Sequence, residues 1–595
     1  MNESVTLQLQ ESSIDLAVRS LSGSERLGEP SRHELDLFSP EPVEPSAVLG
    51  KPCGLLLSNE LGERWISGVV TRFVRIATAD PGAGRRFRAV VEPAWGLLRL
   101  GRQARVYQHV TVPDLVKQVL VQAGFPAARI DLHLGGSYAE REYVVQWMES
   151  DLTFIRRLCE EEGLYFRAAI TAEGERFVLE DTSSAAAPFE EIVQVTGGSG
   201  LTHRGPAAWK PRLRTERRPG KVTLRDHNPE RPAAKLEGIA SAGVAIETGT
   251  EVYLAPGRFR SPGEGAARAE RLLESLRADA RRLSFETNAL GLSPGQSVSI
   301  EHGGDYSGPP VEGEYFVTAV EHRWDMGEGA EGVRVEAIPK EVPFRLPRHT
   351  PRPRIHGVQA AFVTGPPGAE VHPDEAGRVF VRFVWDRSGP TDQTSSLPVR
   401  VAQPNLPGSM VIPRVGWEVA VAFEDGDPDR PCVLGRVYNA KTPPPVALPA
   451  NKTMTVLRSW SSPGGGTHNT IAFDDAAGRQ HVSIHAGFGK STGVGDKMMV
   501  QTAKVEEQHI GASQAVSVGA RDSLTVKEAL IVEVGSQTAT VGGAQDVYVK
   551  GDLSVSVGSE SVLVGGALLE KVGNPVTGAL NLGVNAALAG AGSLG

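Results

Sequence analysis

Short apolar runs alternate with turn clusters through the first ~340 residues, the pattern of a β-rich chain. Helices interrupt it. Thr111-Val112-Pro113-Asp114 reads as a helix start with Pro in the first turn. Leu115, Val116, Val119 and Leu120 then recur at helical spacing, and Gly124 closes the segment. Ser150 is placed to cap a second helix with an apolar face of Phe154, Ile155 and Leu158, with Asp151 in its first turn and Gly163 as its stop. Leu164-Tyr165-Phe166 then reads as a strand. A longer amphipathic helix is expected over about 264–283, because Ala269, Leu272, Leu273, Leu276, Ala280 and Leu283 share one face. Strands are expected at 297–300, 315–320, 379–384, 399–402 and 419–423. Between them, four prolines and three arginines over 343–353, with Arg354 next, predict a stiff, extended, solvated connector.

The C-terminal region is a repeat. An aliphatic residue returns at Ile510, Val518, Val526, Val534, Val541, Val549, Val557, Val564 and Val572, in steps of 7 or 8. Gly511, Gly519, Gly535, Gly542, Gly558 and Gly565 each follow directly, and a second valine often stands two residues earlier, as at Val516, Val532 and Val547. That is a short strand with alternate residues inward, then a tight turn at Gly, repeated as a β-solenoid. One chain with an eight-residue repeat cannot enclose its own apolar face, and it leaves strand edges open. Three chains wound about a shared axis would bury the valines and pair the edges, so the repeat argues for an intertwined homotrimer.

Composition narrows the function. The formal charge of −9 weighs weakly against nucleic acid as the main partner, because phosphate binding needs clustered Lys and Arg. Gly is 67 of 595 residues and Pro 41, so the chain is rich in turns, and its 40% hydrophobic content is enough for real cores. Cys53, Cys159 and Cys432 are scattered and odd in number, which suits free thiols in a reducing cytosol. The first residues, MNESVTLQLQESS, show no signal-peptide pattern, and no segment reads as a membrane span.

Several long motifs resemble the VgrG family, the spike proteins of bacterial type VI secretion systems. AGRVFVRFVWDR (376–387), LPVRVAQ (397–403) and IPRVGWEVAVAFEDGDPDRPCVLGRVYN (412–439) are similar to its OB-fold. REYVVQWMESDLTFIRRLCEEEGLYF (141–166), ISGVVTRF (66–73) and EYFVTAVEHRW (314–324) are similar to its hub, and NTIAFDDAAGRQHVSIHA (469–486) to the approach to its spike. Leu397-Pro398-Val399, with the short 404–409 segment, departs from the family's usual Trp-initiated strand and longer loop, and the turn at 487–490 lacks the family's charged pattern.

The resemblance implies a mainly β chain with a few helices: phage-tail-hub-like barrels over 1–342, the connector at 343–358, an OB-fold at 359–440, a neck at 441–496, an intertwined trimeric β-helix spike at 497–573 and a Gly/Ala-rich tail at 574–595. It implies a non-enzymatic puncturing tip with no cofactor. The expected partners are two further copies of the chain, the Hcp tube, a PAAR-repeat tip protein, baseplate proteins, secreted effectors or adaptors, and a target membrane met mechanically. Such a part would assemble in the bacterial cytoplasm and leave through the apparatus. An effector carrier acting through the C-terminal tail, or the tail spike of a prophage-like particle, fits the same trimer.

Candidate chemistry is sparse. Gly487-Phe488-Gly489-Lys490-Ser491 ends like a phosphate-binding loop, but Ile484 stands where the pattern needs Gly. Asp425, Asp427 and Asp429 are spaced like a calcium loop, but Arg430 and Arg436 occupy the positions of its Gly and Glu, so a turn with acids paired to arginines is expected. Glu160-Glu161-Glu162 reads as a solvated helix end. His481 and His485 would share one strand face at a surface or trimer neck. About 50 residues between Asn439 and the first spike turns leave no space for an inserted lysozyme, and about 23 after Val572 leave none for a fused toxin.

Overall fold

Strands Ala17–Arg26 and Gly313–Asp325 pair antiparallel from Arg26↔Ala319 to Ser20↔Asp325. This one ladder joins two barrels into a continuous twelve-stranded sheet. The computed structural model that shows it describes residues 4–556 and 559, apart from 11–13, 78–84, 172–173, 198–204, 305, 328, 388 and 465. The chain divides into two units, Met1–Ser491 and Thr492–Gly595.

The second barrel is closed, because strand Gly313–Asp325 pairs both with Ser297–His302 and with Gly329–Pro339. Val193, Phe285, Ile300, Val317 and Val335 fill it. The first, a six-stranded half-barrel from Ser4–Leu9 to Ala17–Arg26, encloses Leu35, Leu37, Leu55 and Phe87. A buried polar group crosses between the two. Arg64 donates to both oxygens of Glu25 at 2.8 and 2.7 Å and to the Leu292 carbonyl at 2.5 Å, while His322 contacts Glu25 at 2.8 Å. Burial drives the His322 pKa down to about 4, so its ring is neutral at pH 7.

Helices α1 (Val112–Gln122) and α2 (Asp151–Glu162) form where the caps predicted them. Thr111 Oγ1 accepts from Asp114 N–H at 3.3 Å, Ser150 Oγ accepts from Thr153 N–H at 3.1 Å, and Gly163 ends α2 with φ 72°. Their apolar faces pack with Trp95, Phe166 and Phe177 in a core that also takes Phe316 and Phe344.

Helix α3 (Pro262–Arg277) is shorter than expected. Ala280 lies in the turn after it, and Leu283 belongs to strand Arg281–Thr287, where Leu283, Phe285 and Thr287 alternate inward. Leu283 satisfies both periodicities, and the barrel core takes it. With α3, strands Lys221–Asp226, Leu236–Ser241 and Glu251–Leu254 form a small α/β subdomain around Val222, Leu224 and Phe259.

The OB-fold is a five-stranded sheet ordered Phe380–Phe383, Gln359–Thr364, Glu418–Phe423, Pro431–Arg436, Arg400–Val401. A bridge between Val379 and Val399 closes its ends over Val363, Val381, Val419, Val421 and Val433. A three-stranded neck sheet follows: Met454–Trp460, His468–Asp474 and His481–His485.

The connector is extended and only partly solvated: Pro347, Arg348, His349 and Pro351 are exposed, but apolar residues between them are not. Phe344, Leu346 and Ile355 are buried, and Ser275 Oγ donates to the Leu346 carbonyl at 2.7 Å. Proline stiffness holds as expected, but the apolar residues between the prolines insert into the hub and the OB-fold.

Candidate functional site

The three acids at the end of α2 are buried, not solvated: Glu160, Glu161 and Glu162 are 3%, 8% and 8% exposed. Their partners come from distant segments. Arg141 bonds Glu161 at 2.9 Å and Glu162 at 2.6 Å, and Arg271 of α3 reaches Glu162 at 2.7 Å. From the connector, Arg352 reaches Glu161 at 2.7 Å, and Thr350 donates to Glu160 through its N–H at 2.9 Å and its hydroxyl at 2.7 Å.

Arg352 also faces the OB-fold, 3.5 Å from Asp427 and 3.6 Å from Asp429. The acidic turn is thus an Arg-paired turn, as expected, but most of its partners come from the hub and the connector. Asp427 pairs with Arg258, Arg352 and Arg430, while Asp429 accepts the Val145 N–H at 2.7 Å. Arg430 in turn bonds Asp226 of the subdomain. Trp147 and Trp385 meet edge-to-face at 5.1 Å alongside.

Burial works to raise the pKa values of Glu161 and Glu162, yet the Arg141 guanidinium and its neighbours overcome it and hold both below the usual carboxylate range. Burial raises Asp429, and the adjacent Asp427 charge adds to it. Such a network contributes less to net stability than to fixed geometry, because desolvation cancels much of the attraction. Its chemical capacity is mechanical: it holds hub, connector and OB-fold in one arrangement.

The OB-fold grips the neck as well. Glu370 accepts from Ser462 Oγ at 2.7 Å and from Gly464 N–H at 2.6 Å, and Arg414 donates to the Trp460 carbonyl. On the neck sheet, Leu457, Ile471 and Ile484 lie opposite one another across all three strands, with Phe473 and Val482 in the next row. All five are at least 40% exposed. Sequence reasoning missed this face, although its alternation in NTIAF and HVSIH was visible. His481 and His485 lie on the last neck strand, and the His485 ring is 5.0 Å from that of His468.

In the second unit, bends fall at 511–512, 519–520, 527–528, 535, 542–543 and 550–551, directly after the octad positions. The repeat read from sequence is therefore the repeat of the backbone. None of Gly511, Gly519, Gly535 and Gly542 adopts a left-handed φ, and the 527–528 bend is made by Lys527 and Glu528. The turns do not demand glycine for its φ. The described residues 492–556 form no strand within the single chain; the expected pairing partners of this repeat are further copies of the chain. Ile510, Val518, Val526, Val534, Val541 and Val549 are 43–58% exposed, whereas Val516, Val532 and Val547 are 62–74% exposed. Val557, Val564, Val572, Gly558 and Gly565 lie outside the described residues.

The 487–491 segment builds no phosphate cradle: Gly487 N–H is spent on Asn469 Oδ1 at 2.9 Å, and Phe488 is fully exposed. Among the described residues no group of three or more His, Cys, Asp or Glu is placed to hold a metal, and no helix is long and apolar enough to cross a membrane.

Comparison with known proteins agrees with this architecture. Residues 24–327 match the phage tail baseplate hub family, 368–438 the type VI secretion system/phage-baseplate injector OB domain, and 455–564 the bacteriophage T4 gp5 C-terminal trimerisation domain. The solved structure of the E. coli c3393 protein, described as a type VI secretion component similar to gp27 and gp5, superposes with a TM-score of 0.55 at 24% identity, covering 73% of this chain and 100% of that one. The Pseudomonas aeruginosa spike protein VgrG4b is 36% identical over 79% of this chain and 60% of its own length. VgrG1a of the same organism is 34% identical over 79% and 75%. The chain spans 60% and 63% of the length of two of the relatives it matches. A hub, an OB-fold and an octad repeat in this order, matched by relatives of this identity, place the chain in the VgrG family of type VI secretion system spike proteins.

Proposed function

We propose that the chain is the non-enzymatic puncturing tip of a type VI secretion apparatus, acting as a homotrimer. The observation that carries this reading is the row of six octad residues from Ile510 to Val549, each about half exposed in one chain and in phase with the backbone bends. Exposed aliphatic residues at fixed period need covering, and three copies wound about one axis cover them and pair the open strand edges. The apolar neck face of Leu457, Ile471, Phe473, Val482 and Ile484 extends the same requirement toward the OB-fold.

Thrust enters at the hub, which sits on the Hcp tube with the baseplate around it. It passes through the Arg–carboxylate junction to the OB-fold and neck, and reaches the membrane at the needle. A PAAR-repeat protein caps the tip, and effectors or adaptors ride on the assembly. The part assembles in the cytoplasm and leaves with the tube. Light scattering after gel filtration tests the reading, on the full chain and on a version ending at Ser491. A mass near three times 63.4 kDa that falls on truncation supports the needle as the trimer clamp. A monomer in both cases refutes the proposal.

A further inference from the structure

A cavity of about 210 Å³ opens beside the junction, between α2, the subdomain and the connector. Its lining residues include five arginines, Arg157, Arg258, Arg268, Arg348 and Arg352, against two glutamates, Glu160 and Glu161. Four of the five arginines have carboxylate partners, three of them reaching acids that do not line the cavity: Arg157 to Glu149, Arg258 to Asp427 and Arg268 to Glu264. Arg352 pairs with Glu161.

Arg348 differs. Its bonds run to the carbonyls of Glu160 and Glu161, both at 3.3 Å, and no carboxylate among the described residues lies within ion-pair distance of it. Arg348 is an exposed residue that lines the cavity, so its charge is open to a ligand from solvent. Desolvation draws its pKa below the ordinary arginine value; the Glu161 carboxylate works against that, and the nearby Arg268 charge adds to it. Leu224, Leu254 and Pro256 form an apolar wall, which strengthens electrostatic attraction inside. The Thr350 side chain also lines the space. At about 30 Å³ per liquid water, the volume holds a tetrahedral oxyanion with part of its hydration shell.

We infer that this cavity is an anion site that takes a phosphate-class oxyanion on Arg348, with Arg268 as its second cation. The bound anion supplies the carboxylate-like partner that Arg348 lacks and ties the connector to the hub. Guanidinium–phosphate pairing is a strong, charge-assisted contact.

The test uses the full chain in phosphate-free chloride buffer. Sodium phosphate is titrated at constant ionic strength and followed by calorimetry and by thermal melting. The wild type is expected to bind saturably and to melt higher as phosphate is added. Arg348→Gln is expected to lose at least tenfold in affinity. It is also expected to melt no lower than wild type without phosphate, because the change gives up no ion pair, only two 3.3 Å contacts to carbonyls. That combination separates a ligand-binding arginine from a structural one. A parallel titration with glycerol 3-phosphate distinguishes sources: weaker binding marks a free oxyanion, and equal binding marks the phosphoryl group of a larger ligand. Either result with the loss in Arg348→Gln supports the site. A non-saturating response shared by both proteins overturns it, as does a variant that melts lower while keeping its phosphate response.

Discussion

Arg430 of the OB-fold grips Asp226 of the hub subdomain with two guanidinium nitrogens, at 3.0 and 2.7 Å, across 204 residues of chain. Asp226 also accepts the N–H groups of Arg258 and Phe259. Burial opposes its ionisation, but the Arg430 hydrogen bonds outweigh that and hold its pKa below the usual value. Asp226→Ala leaves Arg430 without this partner and is expected to destabilise the junction by about 3 kcal/mol. Differential scanning calorimetry should show the OB-fold transition separating from that of the hub. A single unshifted transition would refute the coupling.

Glu175 gives the hub a pH dependence of unusual sign. Burial pushes its pKa up to about 7, and only one of its oxygens has a partner, the Ala94 N–H at 2.9 Å. The folded carboxyl keeps its proton to about pH 7, whereas the unfolded one releases it near 4.5. The folded state therefore binds more protons in that window, and stability falls as pH rises through it. Glu175→Gln is expected to remove this loss, worth up to about 3 kcal/mol. The check is the melting difference between variant and wild type at pH 5 and pH 8. It should grow in the variant's favour at pH 8.

Val534→Asp would place three charges on the proposed needle axis. The expected outcome is loss of the trimer by light scattering, while Glu533→Ala, a neighbouring change that adds no charge, keeps it. Recovery of a normal trimer from Val534→Asp would sink the needle model.

Gly163 ends α2 with φ 72°, and a Cβ there would lie 2.8 Å from Arg345 Cδ. Gly163→Ala combines left-handed strain with that contact and should cost about 1–2 kcal/mol. The urea midpoint reads the loss, and an unchanged midpoint would show that Arg345 moves aside and the turn relaxes.

What the sequence made legible was local. The caps at Thr111, Ser150 and Gly163 each act through atoms within a few residues, so α1 and α2 appear where their signals stand. The octad repeat is equally local and reappears in the bends. What failed was anything decided by a distant partner. Glu160-Glu161-Glu162 look solvated until Arg141, Arg271 and Arg352 arrive from other parts of the chain. Leu283 fits a helix face or a strand face, and only the barrel interior decides between them. The connector's four arginines suggested water, yet Arg352 spans from Glu161 to Asp429. The candidate spike residues followed from period alone, while the neck row needed the strand register.

The ladder joining Ser20 to Asp325 sets an order of events at the ribosome. Strand Ala17–Arg26 pairs at once with its neighbour Arg32–Ser39, but its other edge finds Gly313–Asp325 about 290 residues later. At about 5–20 residues per second, that edge stays open for about 15–60 s of synthesis. Through that interval the half-barrel must be shielded, by a chaperone or by its own charges, from pairing with another nascent chain. The hub sheet thus closes only after nearly all of its residues have emerged.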